Sequence, residues 1–386
     1  MRTWTIAWVA ACWIGAVGCG TKVEVNTAAG GQSGEGGGTI SPSGTGGESG
    51  STTSVTGGGG TGGTGTGPGS TYTTTPGYFD VVWDTERDRV FLSGGGDGVV
   101  RALDTKSGKW TSISVGYHAE HMYFDPTLDQ IVVSLAAKDH SPYWWVEEEY
   151  GYIGVIDAVS LTAATPIPVS FDPWQIAADG NGYAYVSGGS GQWSHVMAVN
   201  LATGASALSG YSVFNQEAIQ MHPDKTHVYG ATILAPSDIE RFDFGGGTVD
   251  KAYGSPYHGD YPMCGDLRIH PAGTTIYTKC GHVFLATNNA ASDMTWTGNI
   301  GIVWRDLAFR PDGKIAYVIP DKASSKAEYE AVVHAVDTDT LKTVATYKLA
   351  APAERVLASD TGLVLVRGTL GGNPKTEVEV VPYSAL

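Results

Sequence analysis

Most of this chain is built from one unit used again and again. The clearest copy begins with an alternating strand, Asp306-Leu-Ala-Phe-Arg310, and turns at Pro311-Asp-Gly313. A second strand follows through Val318, then a third, Val333-His-Ala-Val-Asp337, and a fourth over Thr343–Leu349. The Asp that closes the third strand can cap the next turn with its side chain. That landmark recurs at Asp104, Asp157, Asn200, Asp243 and Asp337, with equivalent slots near Asn288 and Pro382, in steps of 53, 43, 43, 45, 49 and 45 residues. The first turn gives a second series at Thr85, Pro126, Ala178, Pro223, Pro271, Pro311 and Ser359. The two series interleave, one of each per unit. Four short strands every 40–50 residues is the period of a β-propeller. The spacing predicts an all-β fold, a seven-bladed β-propeller of four-stranded antiparallel blades spanning residues 72–386.

Strand by strand the units resemble the YVTN-type repeat of bacterial surface and lactonase-like seven-bladed propellers. Phe309-Arg-Pro-Asp-Gly-Lys-Ile-Ala-Tyr-Val318 and His334-Ala-Val-Asp-Thr338 carry the likeness. It covers roughly residues 78–386; units one, six and seven match well, whereas two and five are irregular. Since one fold hosts many functions, the resemblance implies architecture before activity.

The last unit has strands near Arg355–Ala358, Leu363–Arg367 and Glu377–Val381, and Leu386 leaves no room for a fourth. An unpaired edge would invite aggregation. Tyr72–Thr75 is therefore expected to supply the missing outer strand and close the ring.

Residues 1–18 have the layout of a signal peptide: Arg2, an apolar stretch from Ile6 to Val17, then small residues. The stretch is shorter than the about 20 residues that span a bilayer. Ala16-Val17-Gly18-Cys19 resembles the lipobox of bacterial lipoproteins, which implies lipidation of Cys19 and attachment to a membrane. Gly20, in place of the family's Asp retention signal, implies a bacterial outer-membrane address. Residues 19–71 are rich in Gly, Ser and Thr and cannot bury enough apolar surface to offset chain entropy, so a disordered tether is expected. Its r.m.s. reach would be on the order of 40 Å.

Cys264 and Cys280 lie symmetrically about Ala272, inside the Pro271-Ala-Gly-Thr274 turn. A hairpin centred there brings them face to face, and an oxidising envelope permits a disulfide. A reactive thiol or a metal site is the alternative, although His270 and His282 match no standard Cys/His metal spacing.

Propeller topology gathers the start of each first strand, and each loop between second and third strands, around one mouth of the central channel. Five residues before each turn landmark stand Asp80, His121, Pro173, Ala218, Asp266, Asp306 and Glu354. Their neighbours add His118, Trp174, Glu217, Trp304 and Arg305, with Glu120, Gln175, Arg268 and Arg355 close by. The longest loop on that face, Asp139–Tyr150, carries His140, Trp144 and Trp145. This pattern reads as an aromatic lid over an acidic funnel, suited to a sugar, a cationic group or a peptide. The competing reading has the two Trp packed on neighbouring blades and the acids holding backbone groups around a watery channel. Crowded carboxylates would raise one another's pKa.

Acidic residues outnumber basic ones, 39 to 23, for a net charge of −16, which makes nucleic acid an unsuitable partner. No cofactor or metal motif stands out: the glycine loops follow neither the calcium nor the phosphate pattern. The leading expectation is a monomeric, lipid-anchored binding module for a polysaccharide, peptide or envelope protein. The alternative is an envelope hydrolase or lyase of lactonase-like type using mouth carboxylates and His121 or His118, and the third is a structural part of an envelope complex.

Overall fold

The computed structural model describes residues 69–386 except 75–76, 95, 142–148, 234–235, 324–326 and 369–374. The leader and the tether up to residue 68 lie outside the described residues, as do Trp144 and Trp145. Seven antiparallel sheets stand in a ring, blades I to VII, each four strands deep from the channel outward, the fourth strand of blade II being in two pieces. Their innermost strands are Val81–Asp84, His118–Asp125, Pro173–Ala178, Ala218–Met221, Leu267–Ile269, Trp304–Phe309 and Arg355–Ala358. Each begins within three residues of the position that the turn series marks out.

The second strand of every blade reads as a nearly unbroken apolar run because its two faces pack on two neighbouring blades. In blade II, Ile131, Val132, Val133, Leu135 and Ala136 are all buried. Ile131 and Val133 pack with Phe91, Val100 and Ile113 of blade I, whereas Val132 packs with Ile176 and Val186 of blade III. The core is thus a series of inter-blade layers.

The ring closes with a strand from the start of the domain. Ser70–Thr74 pairs antiparallel with Thr376–Pro382, from Ser70 opposite Val380 to Thr74 opposite Thr376. The strand starts two residues earlier than the sequence suggests, and Tyr72 fixes it by donating its hydroxyl to the Thr105 carbonyl at 2.6 Å. Blade II owes its irregular sequence to a broken outer strand: Thr162–Ala163 and Ile167–Val169 both pair with Gly151–Asp157.

Third-strand landmarks cap their turns as expected. Asp104, Asp157 and Asn200 each accept two backbone N–H groups two and three residues on. Asp243 does not: its strand runs on to Gly245, and its carboxylate takes the Arg241 guanidinium instead. The disulfide Cys264–Cys280 forms, with Cα atoms 5.4 Å apart at the base of the hairpin that pairs Leu267 with Thr278.

Blades are also sewn to one another at both rims. At the mouth, Asp80 accepts the Met122 N–H of the next blade at 2.9 Å, Gln175 that of Ile219 at 3.2 Å, and Asp306 that of Val356 at 2.9 Å. At the opposite rim His222 Nε2 donates to the Gly273 carbonyl and His270 Nε2 to the Gly313 carbonyl, at 2.9 and 2.8 Å.

Candidate functional site at the channel mouth

A cavity of about 960 Å³ runs along the axis, from Asp80, His121 and Trp174 at the mouth to Thr85, Pro126 and Pro223 at the far turns. Three inner strands reach it through one-residue register shifts, between Ala119 and Met122, Pro173 and Ile176, and Trp304 and Asp306. Such bulges re-aim side chains. Here they fall at Glu120-His121, Trp174-Gln175 and Arg305.

The first two bulges build an aromatic cluster. Trp174 stands nearly perpendicular to His121 at 4.6 Å, to His140 at 4.9 Å and to Phe79 at 5.8 Å between ring centres, and Phe79 meets His121 at 5.1 Å. Behind it His140 is clamped between two carboxylates, with Nδ1 2.5 Å from Asp172 and Nε2 2.6 Å from Glu120. Ser190 donates to the same Asp172 oxygen. Burial opposes a charge on His140, but the two carboxylates outweigh it and push its pKa up to about 10. His140 is therefore an imidazolium at neutral pH that ties the second-to-third-strand connection of blade II to blade III. Its two nitrogens are both occupied and Ser190 bonds the acid rather than the imidazole, so the group lacks the nucleophile–base contact of a hydrolytic triad.

The expected acidic funnel is corrected by its partners. Asp80 accepts two backbone N–H groups and lies 3.6 Å from His121. Burial would raise its pKa, yet His121, Arg355 and the Met122 amide bring it below the usual carboxylate value, the reverse of mutual repulsion. Arg268 bridges Asp266 and Asp306, 2.8 Å from each. Glu354 takes Arg305 at 3.1 Å and the Tyr78 hydroxyl at 3.3 Å. The channel lining carries four acids (Asp80, Glu86, Asp266, Asp306) and four bases (Lys225, Arg268, Lys279, Arg355). Its formal charge is zero.

Three expected mouth residues belong elsewhere. Trp304 is fully buried between blades V and VI, donating Nε1–H to the Thr278 carbonyl, because its bulged strand turns Arg305 outward instead. Glu217 is buried against blade IV, where Gly230 leaves room for it: its Oε1 lies 2.2 Å from where a Cβ at residue 230 would stand. Glu240, paired across from Gly230, is its neighbour on that face. Burial first, and the Glu240 charge second, push the Glu217 carboxyl well above its usual pKa. His118 is half-buried at the start of its strand, opposite Ala136, and does not line the cavity.

Sequence reasoning missed Phe79, Asp172 and Ser190. Asp172 and Ser190 stand one residue before an inner strand and in a second-to-third-strand connection, the same slots that were searched for other residues. Among the described residues one His/Asp group, His222, Asp224 and His227, brings three potential metal ligands together. It lies at the far rim, and the two imidazoles stack nearly parallel, 4.3 Å apart with 19° between planes. His222 Nε2 of this group is the latch to the Gly273 carbonyl.

Neither a family model nor a curated protein matches the chain. Solved structures do, and 1205 of their chains match, a number that marks a widely used architecture. One is a functionally unknown protein from Desulfotomaculum acetoxidans DSM 771, 11% identical with a TM-score of 0.55, covering 75% of this chain and 88% of that one. Another is the Cps50 (Swd1) β-propeller domain of Myceliophteria thermophila, 10% identical with a TM-score of 0.57, covering 80% of this chain and 98% of that one. At these identities the likeness carries the fold alone. By sheet order and by structural likeness, the chain is an all-β, seven-bladed propeller with four-stranded antiparallel blades.

Proposed function

We propose that the chain is a binding module that captures a saccharide chain at the channel mouth, on the sector formed by blades I to III. The observation that carries the reading is Trp174: a half-buried indole lining the cavity, held by Phe79, His121 and His140, each nearly perpendicular to it. A ring pre-oriented in this way loses little freedom on binding, and its apolar face suits the C–H face of a pyranose. The mouth acids support binding over turnover, since Asp80, Asp266 and Asp306 are engaged by backbone amides or Arg268. The test is saccharide binding by the wild-type chain and by Trp174→Ala, with melting temperature as control. Loss of capture at a nearly unchanged melting temperature supports the reading. Binding unaffected by Trp174→Ala, or saccharide turnover abolished by Asp306→Asn or His121→Ala, replaces it. Peptide capture without saccharide capture replaces it too.

The proposal includes a place. The lipobox-like Ala16–Cys19 and the Gly/Ser/Thr-rich residues 20–71 support an outer-membrane lipoprotein holding its propeller off the lipid surface, and the likeness around Phe309–Val318 supports the YVTN type. Incorporation of labelled palmitate that disappears in Cys19→Ala is the expected result; a chain released to the medium without label contradicts it.

A further inference from the structure

The cations around the channel differ in how they are used. Arg268 bridges two aspartates and lies over the Trp304 ring. Arg305 pairs with Glu354 and lies over Tyr329. Lys279 lies 3.5 Å from Asp321, and Lys225 donates to the Tyr123 hydroxyl and the Ala178 carbonyl. Arg355, on the innermost strand of blade VII, lines the same cavity with a single hydrogen bond of 3.4 Å to the Glu354 carbonyl. Among the described residues it has no carboxylate within 4.0 Å. The acids nearest to it are taken: Glu354 by Arg305 and Tyr78, Asp306 by Arg268 and the Val356 amide, Asp80 by the Met122 and Val81 amides.

A guanidinium carries five N–H donors in a planar fork that matches a carboxylate two-to-two. Most of Arg355's donors face a cavity rather than a protein acceptor. On the other side of Asp80, His121 Nε2 is buried without a partner. The mouth thus holds one buried nitrogen without a partner and, across a satisfied acid, a guanidinium turned to the cavity; the first calls for an explanation and the second offers one.

We propose that Arg355 receives a carboxylate of the captured ligand, so that the saccharide bound at the mouth is an acidic one of the uronate class. The inference rests on the mouth being the saccharide seat and adds the charge of what sits there. The lining charge selects among anions. With four acids and four bases around the cavity, a monoanion finds one cation free for it. A phosphate dianion puts its second charge on the same group, where Asp80, Asp266 and Asp306 repel it, whereas a uronate chain carries one charge per sugar ring. The sign is opposite to what the net charge of −16 suggests for the surface as a whole, which makes the claim specific to this residue.

The test uses the purified full chain and two probes, oligogalacturonate and the same oligosaccharide with its carboxyls methyl-esterified, titrated calorimetrically against wild type, Arg355→Gln and Trp174→Ala. The acid is expected to bind at least tenfold more tightly than the ester to wild type. Arg355→Gln removes that difference and leaves ester binding unchanged, whereas Trp174→Ala weakens both. Inorganic phosphate at millimolar concentration is expected not to compete. Equal affinity for acid and ester, or an acid preference that survives in Arg355→Gln, overturns the inference while leaving the saccharide reading intact. Competition by phosphate overturns the choice of a carboxylate. Failure of both oligosaccharides, with neutral glycans also unbound, overturns the saccharide reading and this inference with it.

Discussion

Replacing His140 with Gln removes a charge from between two buried carboxylates, and the structure sets the size of the effect. Glu120 and Asp172 are 7% and 0% exposed, and each lies within hydrogen-bond distance of one His140 nitrogen. The interval from the usual imidazole value of 6.5 to about 10 corresponds to roughly 5 kcal/mol at 1.36 kcal/mol per pH unit. The side chain is 14% exposed, so solvent screening reduces this to about 3 kcal/mol. That agrees with the roughly 3–5 kcal/mol lost when one partner of a buried ion pair is removed. The folded pKa lies above the unfolded one. The stabilisation is therefore complete below about pH 6.5 and disappears as pH rises through about 10. Urea unfolding of wild type and His140→Gln at pH 6, 8 and 10.5 should give a difference of about 3 kcal/mol at pH 6 that shrinks toward zero at pH 10.5. In thermal terms about 3 kcal/mol is a fall on the order of 5 °C for a domain of this size. The difference between the two proteins is the readout, because tyrosines and lysines titrate alike in both. A difference under about 1 kcal/mol at pH 6, or one that does not change with pH, refutes the imidazolium clamp.

Other expected outcomes concern the ring itself. Removing residues 70–74 exposes the edge of Thr376–Pro382, and the chain should lose cooperative unfolding or self-associate through that edge, as size-exclusion chromatography would show. An unchanged monomeric melt would contradict closure by this strand. Cys264→Ser/Cys280→Ser should lower stability by roughly 3 kcal/mol through the loop of sequence separation 16 that the bridge closes, measured by guanidinium unfolding against wild type. Glu217→Gln should stabilise the fold at pH 8, by on the order of 1–2 kcal/mol, and have little effect near pH 4. The raised carboxyl pKa gives stability below the usual value that is lost as pH climbs, and the amide does not ionise. Equal effects at both pH values would show that Glu217 is not held protonated.

Spacing made the blades legible because each depends on contacts within 40–50 residues of chain. Alternation marks the strands, Pro-Asp-Gly and Asp turns mark their ends, and the short last unit forces closure by Ser70–Thr74. The hairpin around Ala272 gave the disulfide for the same local reason. The site was less legible because its partners come from other blades. Asp80 and Asp306 look like free acids until Met122 and Val356 of the next blade are seen to donate to them. Trp304 and Arg305 were both expected at the mouth, but a bulge parts them, Trp304 into the layer between blades and Arg305 toward Glu354, and no residue type signals that one extra position will be inserted. Arg355 stood among the neighbours of the mouth acids, but its lack of an ion pair follows only from where Arg268 and Arg305 spend theirs.

The central claim is that ligand capture and the polar chemistry that serves it lie at one rim, with the aromatic seat on blades I to III and Arg355 on blade VII beside it. Hydrogen–deuterium exchange of the full chain with and without bound oligogalacturonate tests it directly. The account predicts slowed exchange at amides 118–122, 172 and 174–176, with residues 222–227 at the opposite rim unchanged. Protection confined to residues 222–227, or to the outer strands alone, would contradict it.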